Sequence, residues 1–236
     1  MKKYELTDDT VQFLRKTLHR IKALRDFGDV KAGDLGGYIE TESNLSHDGD
    51  AWVSGDAWVS SSALVTDDAC VSSSAQVTGS ALVSGSAHVT GSAHVTGSAH
   101  VTGSAHVSGS AHVTDDACVS SSAHVTGSAL VSGSAHVTGS AQVTGSAHVT
   151  GSALVSGSAH VTSNADFAVI RGFGSAFRTT TFFKCSDGQI RTCCGCFYGT
   201  LDEFREKVKK IHGDSKFAKE YLAIADLMEM HFKEEQ

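Results

Sequence analysis

The sequence predicts a mainly β protein built around a parallel β-helix of hexapeptide repeats. Three observations predict it. Alanine recurs at every sixth position from Ala51 to Ala165, 20 times without a miss, and valine follows two residues later 19 times, from Val53 to Val161. The commonest unit is Gly-Ser-Ala-His-Val-Thr, so that a small residue, an outward residue and an aliphatic residue recur in one order. Proline is absent and does not punctuate the repeat.

Within Ala-x-Val the two apolar residues are at i and i+2, which puts both side chains on one face of an extended chain. The x residue and the following Thr or Ser then point outward. Gly-Ser, Asp-Asp or Ser-Ser supplies a corner, since these are turn-forming residues and glycine permits a sharp bend. An α-helix does not fit, because a strict period of six rotates Ala and Val around the axis and inserts glycine at about 1 kcal/mol each. Three hexapeptides make a triangular coil, and coils stack at about 4.8 Å. The repeat therefore predicts about six and a half coils, a rod on the order of 30 Å long, filled with Ala and Val.

The ends differ from the middle, so the chain divides into a capping block over residues 1–50, the repeat over 51–166 and a small α+β domain over 167–236. Val11, Leu14, Leu18, Ile21 and Leu24 have helical spacing. In the C-terminal part, Ser186-Asp187-Gly188 separates Thr179–Cys185 from Gln189–Cys193, a turn signal between two β-rich runs that predicts a hairpin. Thr200-Leu201-Asp202-Glu203 has the form of a capping box. It predicts a helix that runs to His212 and stops at Gly213. A second helix is expected from about Asp214 to Phe232, with Phe217, Tyr221, Ile224, Leu227, Met228 and His231 on one buried face. Because stacked coils leave two open β edges, these end blocks are expected to cap the rod.

The phrase order of the N-terminal block is specific. Asp26-Phe27-Gly28-Asp29-Val30-Lys31-Ala32-Gly33-Asp34-Leu35-Gly36-Gly37-Tyr38-Ile39 is followed by Asn44-Leu45-Ser46 and Gly49-Asp50-Ala51-Trp52-Val53. Together with the repeat, this resembles the YdcK-like hexapeptide-repeat proteins over roughly residues 17–55 and onward. The resemblance implies a single-stranded left-handed parallel β-helix, strands over about residues 17–25 where spacing alone reads as helix, a phage or prophage setting, and no established activity. One departure from the common hexapeptide pattern is that Thr or Ser follows the aliphatic residue, with glycine one step later.

Composition narrows the function classes. Net charge is −7, with 19 Lys+Arg against 26 Asp+Glu, which argues against a nucleic-acid partner. No apolar run approaches the roughly 18 residues of a membrane span, and the start Met1-Lys2-Lys3-Tyr4-Glu5 lacks an apolar signal core. Six cysteines without regular disulfide spacing predict a reducing, cytoplasmic home.

Candidate chemistry lies at the outward x position. Read every 18 residues, it forms three columns. The first is Trp52, Cys70, His88, His106, His124, Gln142 and His160; the second Trp58, Gln76, His94, His112, Leu130, His148 and Asp166; the third Leu64, Leu82, His100, Cys118, His136 and Leu154. His88, His106 and His124, with His94 and His112, are the candidate ligands of a divalent transition metal such as Zn, Cu or Ni. Against this, the same position accepts Trp, Leu, Cys, Gln and Asp, and parallel files of imidazole lack tetrahedral geometry. An acyltransferase acting as a homotrimer would use one histidine as general base, yet nine repeat histidines in near-identical settings favour none, and no loop forms a pocket. Ice binding requires regular hydroxyl or methyl rows, which His alternating with Leu and Trp does not offer. Cys185, Cys193, Cys194 and Cys196 read as free thiols rather than a zinc site, with Cys185 and Cys193 expected on opposite sides of the hairpin. The expected function is a non-enzymatic structural or binding module, with a protein partner or self-association and neither catalytic nor cofactor-binding residues. Metal or small-ligand sequestration is a further alternative.

Overall fold

A computed structural model of the chain describes residues 2–13 and 15–233. Leu14, one of the positions in helical spacing, and the last three residues of the C-terminal domain lie outside the described residues. Strands β1 (Tyr4–Phe13), β2 (Lys16–Ala23) and β3 (Leu35–Ile39) open the fold. Two-residue strands then recur at six-residue intervals, from β4 (Trp52–Val53) to β22 (His160–Val161). The chain ends in β23 (Phe167–Phe173), β24 (Arg178–Lys184), β25 (Ile190–Cys194) and β26 (Phe197–Thr200), followed by α1 (Leu201–His212) and α2 (Lys216–Phe232).

The short strands stack in parallel into three faces, each residue pairing with the one 18 positions on, as in His88 with His106 and Val89 with Val107. The repeat Ala and Val side chains from Ala51 to Val161 fill the prism, almost all at 0% exposure, whereas Ala165 is exposed in the 3-10 turn that ends the coil. Three kinds of inter-coil bond recur, His88 N–H to the Ala105 carbonyl at 2.8 Å, Thr90 N–H to Val107 at 2.9 Å and Ser86 N–H to Gly103 at 2.7 Å. In each the earlier coil donates and the later one accepts. For these three kinds of bond, the start of the rod is left with carbonyls that need donors and its end with amides that need acceptors.

The end blocks supply what each edge lacks. Lys3 Nζ donates to the carbonyls of Ala51 (2.8 Å) and Gly49 (3.3 Å). Asn44 Nδ2 donates to those of Ser61 (2.9 Å) and Ala63 (2.8 Å). Both side chains are fully buried, and burial, with Arg25 nearby, pushes the Lys3 ammonium down to about 8. At the far end Asn164 Oδ1 accepts from His148 N–H (2.8 Å) and Thr181 Oγ1 from Leu154 N–H (3.0 Å).

The helical spacing does not describe the N-terminal block, since β2 (Lys16–Ala23) is a strand that pairs antiparallel with β1. The coil also starts before Ala51. β3 pairs in parallel with Trp58–Val59, Leu45 bridges Val65, and Ile39 and Leu45 are buried in the rod's core.

The C-terminal sheet runs β23-β24-β25-β26, antiparallel throughout. Asp187 and Gly188 make the expected turn, with Gly188 at φ 77. The predicted capping box is formed, Glu203 N–H to Thr200 Oγ1 at 3.3 Å and Thr200 N–H to the Glu203 carboxylate at 2.7 Å. The buried face of α2 is the one that spacing predicts only in part. Tyr221, Ile224 and Met228 are buried with Ala218, Ala225 and Phe232, whereas Leu227 is 48% and Phe217 36% exposed, and His231 faces outward. Alanines on the inner face let α2 approach α1 closely, and a count of large apolar residues passes over them.

Candidate functional site

Alternation within each Ala-x-Val strand turns the x side chain outward, and 18-residue register places it over its counterpart in the next coil. The columns form as the spacing predicts. His88 and His106 stack with ring centroids 4.8 Å apart and planes 9° from parallel; His106 and His124 follow at 4.9 Å and 21°. On the second face His94 and His112 stack at 4.7 Å, with Nδ1 of the first 2.9 Å from Nε2 of the second. Such a contact needs one ring nitrogen to donate and the other to accept, so the pair holds together while at least one ring is neutral. Burial, and secondarily His106, lowers the His88 pKa; burial and His112 lower that of His94. His160 Nδ1 lies 3.2 Å from Gln142 Oε1. In the third column Leu82 and Cys118 flank His100, and Cys118 and Leu154 flank His136.

Two members depart from the columns. Trp52 projects from the prism but is only 7% exposed, because Tyr4 and Phe27 of the N-terminal block pack edge-on against it. Asp166 lies in a 3-10 turn, where its carboxylate accepts from Thr162 and Ser163 backbone amides and caps the last coil.

The chemistry available to the columns is limited. Among the described residues no three His, Cys, Asp or Glu side chains are grouped to hold a metal ion. His94 and His112 offer two imidazoles, so the remaining ligands of any bound ion come from solvent or another molecule. Nor does a carboxylate prepare a column histidine as a base. Among the described residues the histidine that meets one is His47, 3.7 Å from Glu42 in the N-terminal block.

The cysteines differ from expectation in one respect. Cys185 and Cys193 do not face opposite sides; both are buried in the core shared with the rod. The register decides it, because Thr181 pairs with Cys193, so that residues 181, 183 and 185 share the face of Cys193; Cys185 keeps its amide bond to the Gln189 carbonyl at 2.9 Å and also bridges Ala159 of the last coil. All six cysteines are free, with Cys194 half-buried and Cys196 exposed.

Cavities lie at both ends of the molecule. One, of about 240 Å³, sits between the β23–β24 hairpin tip, β25 and the helices. Phe204, Val208 and Tyr221 form its apolar wall, and Arg178, Lys207 and His212 also line it. Sequence reading missed it because its residues come from separate elements with no shared spacing. The single local signal is two glycines. A Cβ at Gly174 would collide with the Tyr221 hydroxyl, and one at Gly195 with the Arg178 guanidinium.

These features define a parallel β-solenoid of hexapeptide repeats with a capping block at each end. No family model matches the chain, and no curated protein matches it. Among the described residues no helix is long and apolar enough to cross a membrane.

Proposed function

We propose that this protein is a non-enzymatic binding or assembly module, in which the β-helix is a rigid spacer and contact surface and the end blocks carry specificity. The observation that carries this reading is the closure of both coil edges by built side-chain caps. Lys3 and Asn44 serve one edge, Asn164 and Thr181 the other. A rod capped in this way presents flat sides and two distinct ends, a suitable form for holding two contacts at fixed separation. The resemblance to YdcK-like proteins supports a phage or prophage setting, and six free thiols suit a reducing compartment such as the cytoplasm.

The test removes one whole coil, residues 91–108, which restores register at the junction. The expected variant folds cooperatively and is shorter by about 4.8 Å, with its assembly state and bound partner unchanged. Native mass spectrometry of untagged protein with acetyl-CoA serves as the control. A stoichiometric acyl-CoA adduct that disappears in the coil-deleted form would overturn the reading in favour of a trimeric hexapeptide acyltransferase.

The 2.9 Å contact between His94 and His112 favours a second reading, capture of a transition metal at paired imidazoles completed by another copy of the chain. Titration with Zn²⁺, Ni²⁺ or Cu²⁺, comparing the parent with His94→Gln, decides it. Equal binding by both eliminates that pair, and the same comparison at His106 tests the column of His88, His106 and His124.

A further inference from the structure

The cavity in the C-terminal domain combines three features that do not depend on the rod. First, it is apolar and open on one side to solvent. Phe204 and Val208 of α1 and Tyr221 of α2 close one side, and Cys194 and the hairpin tip close the other. At about 240 Å³ it suits a body of one or two rings and is smaller than the usual site for a drug-sized ligand. Second, the charged side chains that line it are cationic, while the one nearby carboxylate among the described residues is engaged elsewhere. Arg178, Lys207 and His212 line it, and no Asp or Glu does. The contrast with Arg205 on the same helix is direct, since Arg205 is held by Asp202, Asp226 and Glu229 at 3.0, 2.9 and 2.5 Å. Among the described residues Arg178 and Lys207 have no such carboxylate. The nearby Glu220 is engaged by Lys216 at 3.5 Å and by the Gly174 amide at 3.1 Å. Third, Gly174 and Gly195 beside the cavity both have left-handed backbone angles, φ 72 and 60, and a Cβ at Gly174 would collide with the Tyr221 ring.

Apolar walls favour a hydrocarbon body, and unpaired cations at their border favour a negative group attached to it. We propose that this cavity is a binding site for a small aromatic carboxylate, the ring system seated against Phe204 and Val208 and the carboxylate facing Arg178 and Lys207. Burial, with Cys194 beside it, pushes the Tyr221 phenol up to about 12. Tyr221 therefore remains neutral at pH 7 and adds no repulsion to a bound anion.

The experiment uses the full chain and two probes of matched shape, 2-naphthoate and 2-naphthalenemethanol, followed by calorimetry at low salt. Naphthoate is expected to bind at least about tenfold tighter, the worth of one charge-assisted hydrogen bond. Arg178→Gln together with Lys207→Gln, both at exposed positions, should abolish that preference while an unchanged melting temperature certifies the fold. A second readout locates the site. Cys196 is exposed and lines the cavity, so bound naphthoate should slow its alkylation by iodoacetamide and leave that of Cys70 and Cys118 unchanged. Equal affinity for the two probes, or binding that leaves Cys196 alkylation unaltered, would overturn the assignment. Neither result bears on the spacer reading, which the coil deletion tests separately.

Discussion

At each corner of the coil one residue has left-handed backbone angles. Mostly it is glycine, but Ser61, Asp67, Ser73, Asp115 and Ser121 stand there with φ between 59 and 63. An L-residue in that conformation carries a penalty of about 1–2 kcal/mol. The sequence places these residues so that a glycine stands 18 positions after each one, at 79, 85, 91, 133 and 139. Stacking constrains these corners generally, because a Cβ at Gly97 would lie 2.7 Å from the Asp115 backbone nitrogen in the next coil and one at Gly79 would lie 2.6 Å from the Gly97 carbonyl oxygen. The aspartates also recover part of the penalty. Asp67 accepts from the Gly85 amide at 2.9 Å and Asp115 from Gly133 at 3.0 Å. Gly97→Ala, next to Asp115, is therefore expected to destabilise the protein by about 1–3 kcal/mol, whereas Ser121→Gly should change stability by a few tenths. Thermal unfolding of the two variants checks this, and equal melting temperatures would contradict the stacking argument.

At the scale of the element, the histidine columns make the rod sensitive to acid. A free imidazole titrates near 6.5, and the pKa values of His88 and His94 are lowered, first by burial and then by the neighbouring imidazole. The folded state therefore binds fewer protons than the unfolded state. The contribution of these groups to stability is full above pH 6.5 and falls as the pH drops through their lowered values. Melting temperature should decrease from pH 7 to pH 5, and the double variant His88→Gln, His94→Gln should show a shallower decrease. A parent protein whose melting temperature stays level over that range would refute the coupling.

Legibility varies among elements for physical reasons. Where a signal lies within a few residues, as in the Asp187-Gly188 turn or the Thr200–Glu203 box, the sequence states it. The x columns follow from the period alone, including the pairing of His94 with His112. The burial of α2 was only partly legible, because Ala218 and Ala225 are on the inner face for their small size, which a count of large apolar residues does not register. The residues of the C-terminal cavity carried no common spacing at all.

For the whole molecule the decisive feature is the inequality of the two edges. The first coil needs donors for its carbonyls and the last needs acceptors for its amides, so an uncapped end of one rod complements the opposite end of another. Removal of both end blocks, leaving residues 51–162, is expected to give head-to-tail filaments. A chain shortened at one end should not grow beyond small assemblies, since its other edge remains closed. Sedimentation velocity distinguishes these outcomes, and long filaments from a chain lacking residues 1–50 alone would show that the C-terminal cap does not close its edge. A milder version changes Asn44 to Asp, which removes both Nδ2 donors. The buried Ala63 carbonyl left without a partner should cost about 1–3 kcal/mol, and the part-buried Ser61 carbonyl less.

The sequence by itself determined the coil, its three faces, the content of the prism and the identity of every outward column, because all follow from a period of six with one small and one aliphatic residue per unit. Tertiary structure alone decided that Trp52 is covered, that Cys185 and Cys193 share one core, that Lys3 and Asn44 close the first edge, and that Arg178 and Lys207 border an apolar cavity. Each of these joins residues from separate elements, and Lys3 reaches Ala51 across 48 positions. A periodic pattern reports only what recurs along the chain, whereas such contacts occur once and exist only after the ends have packed against the rod.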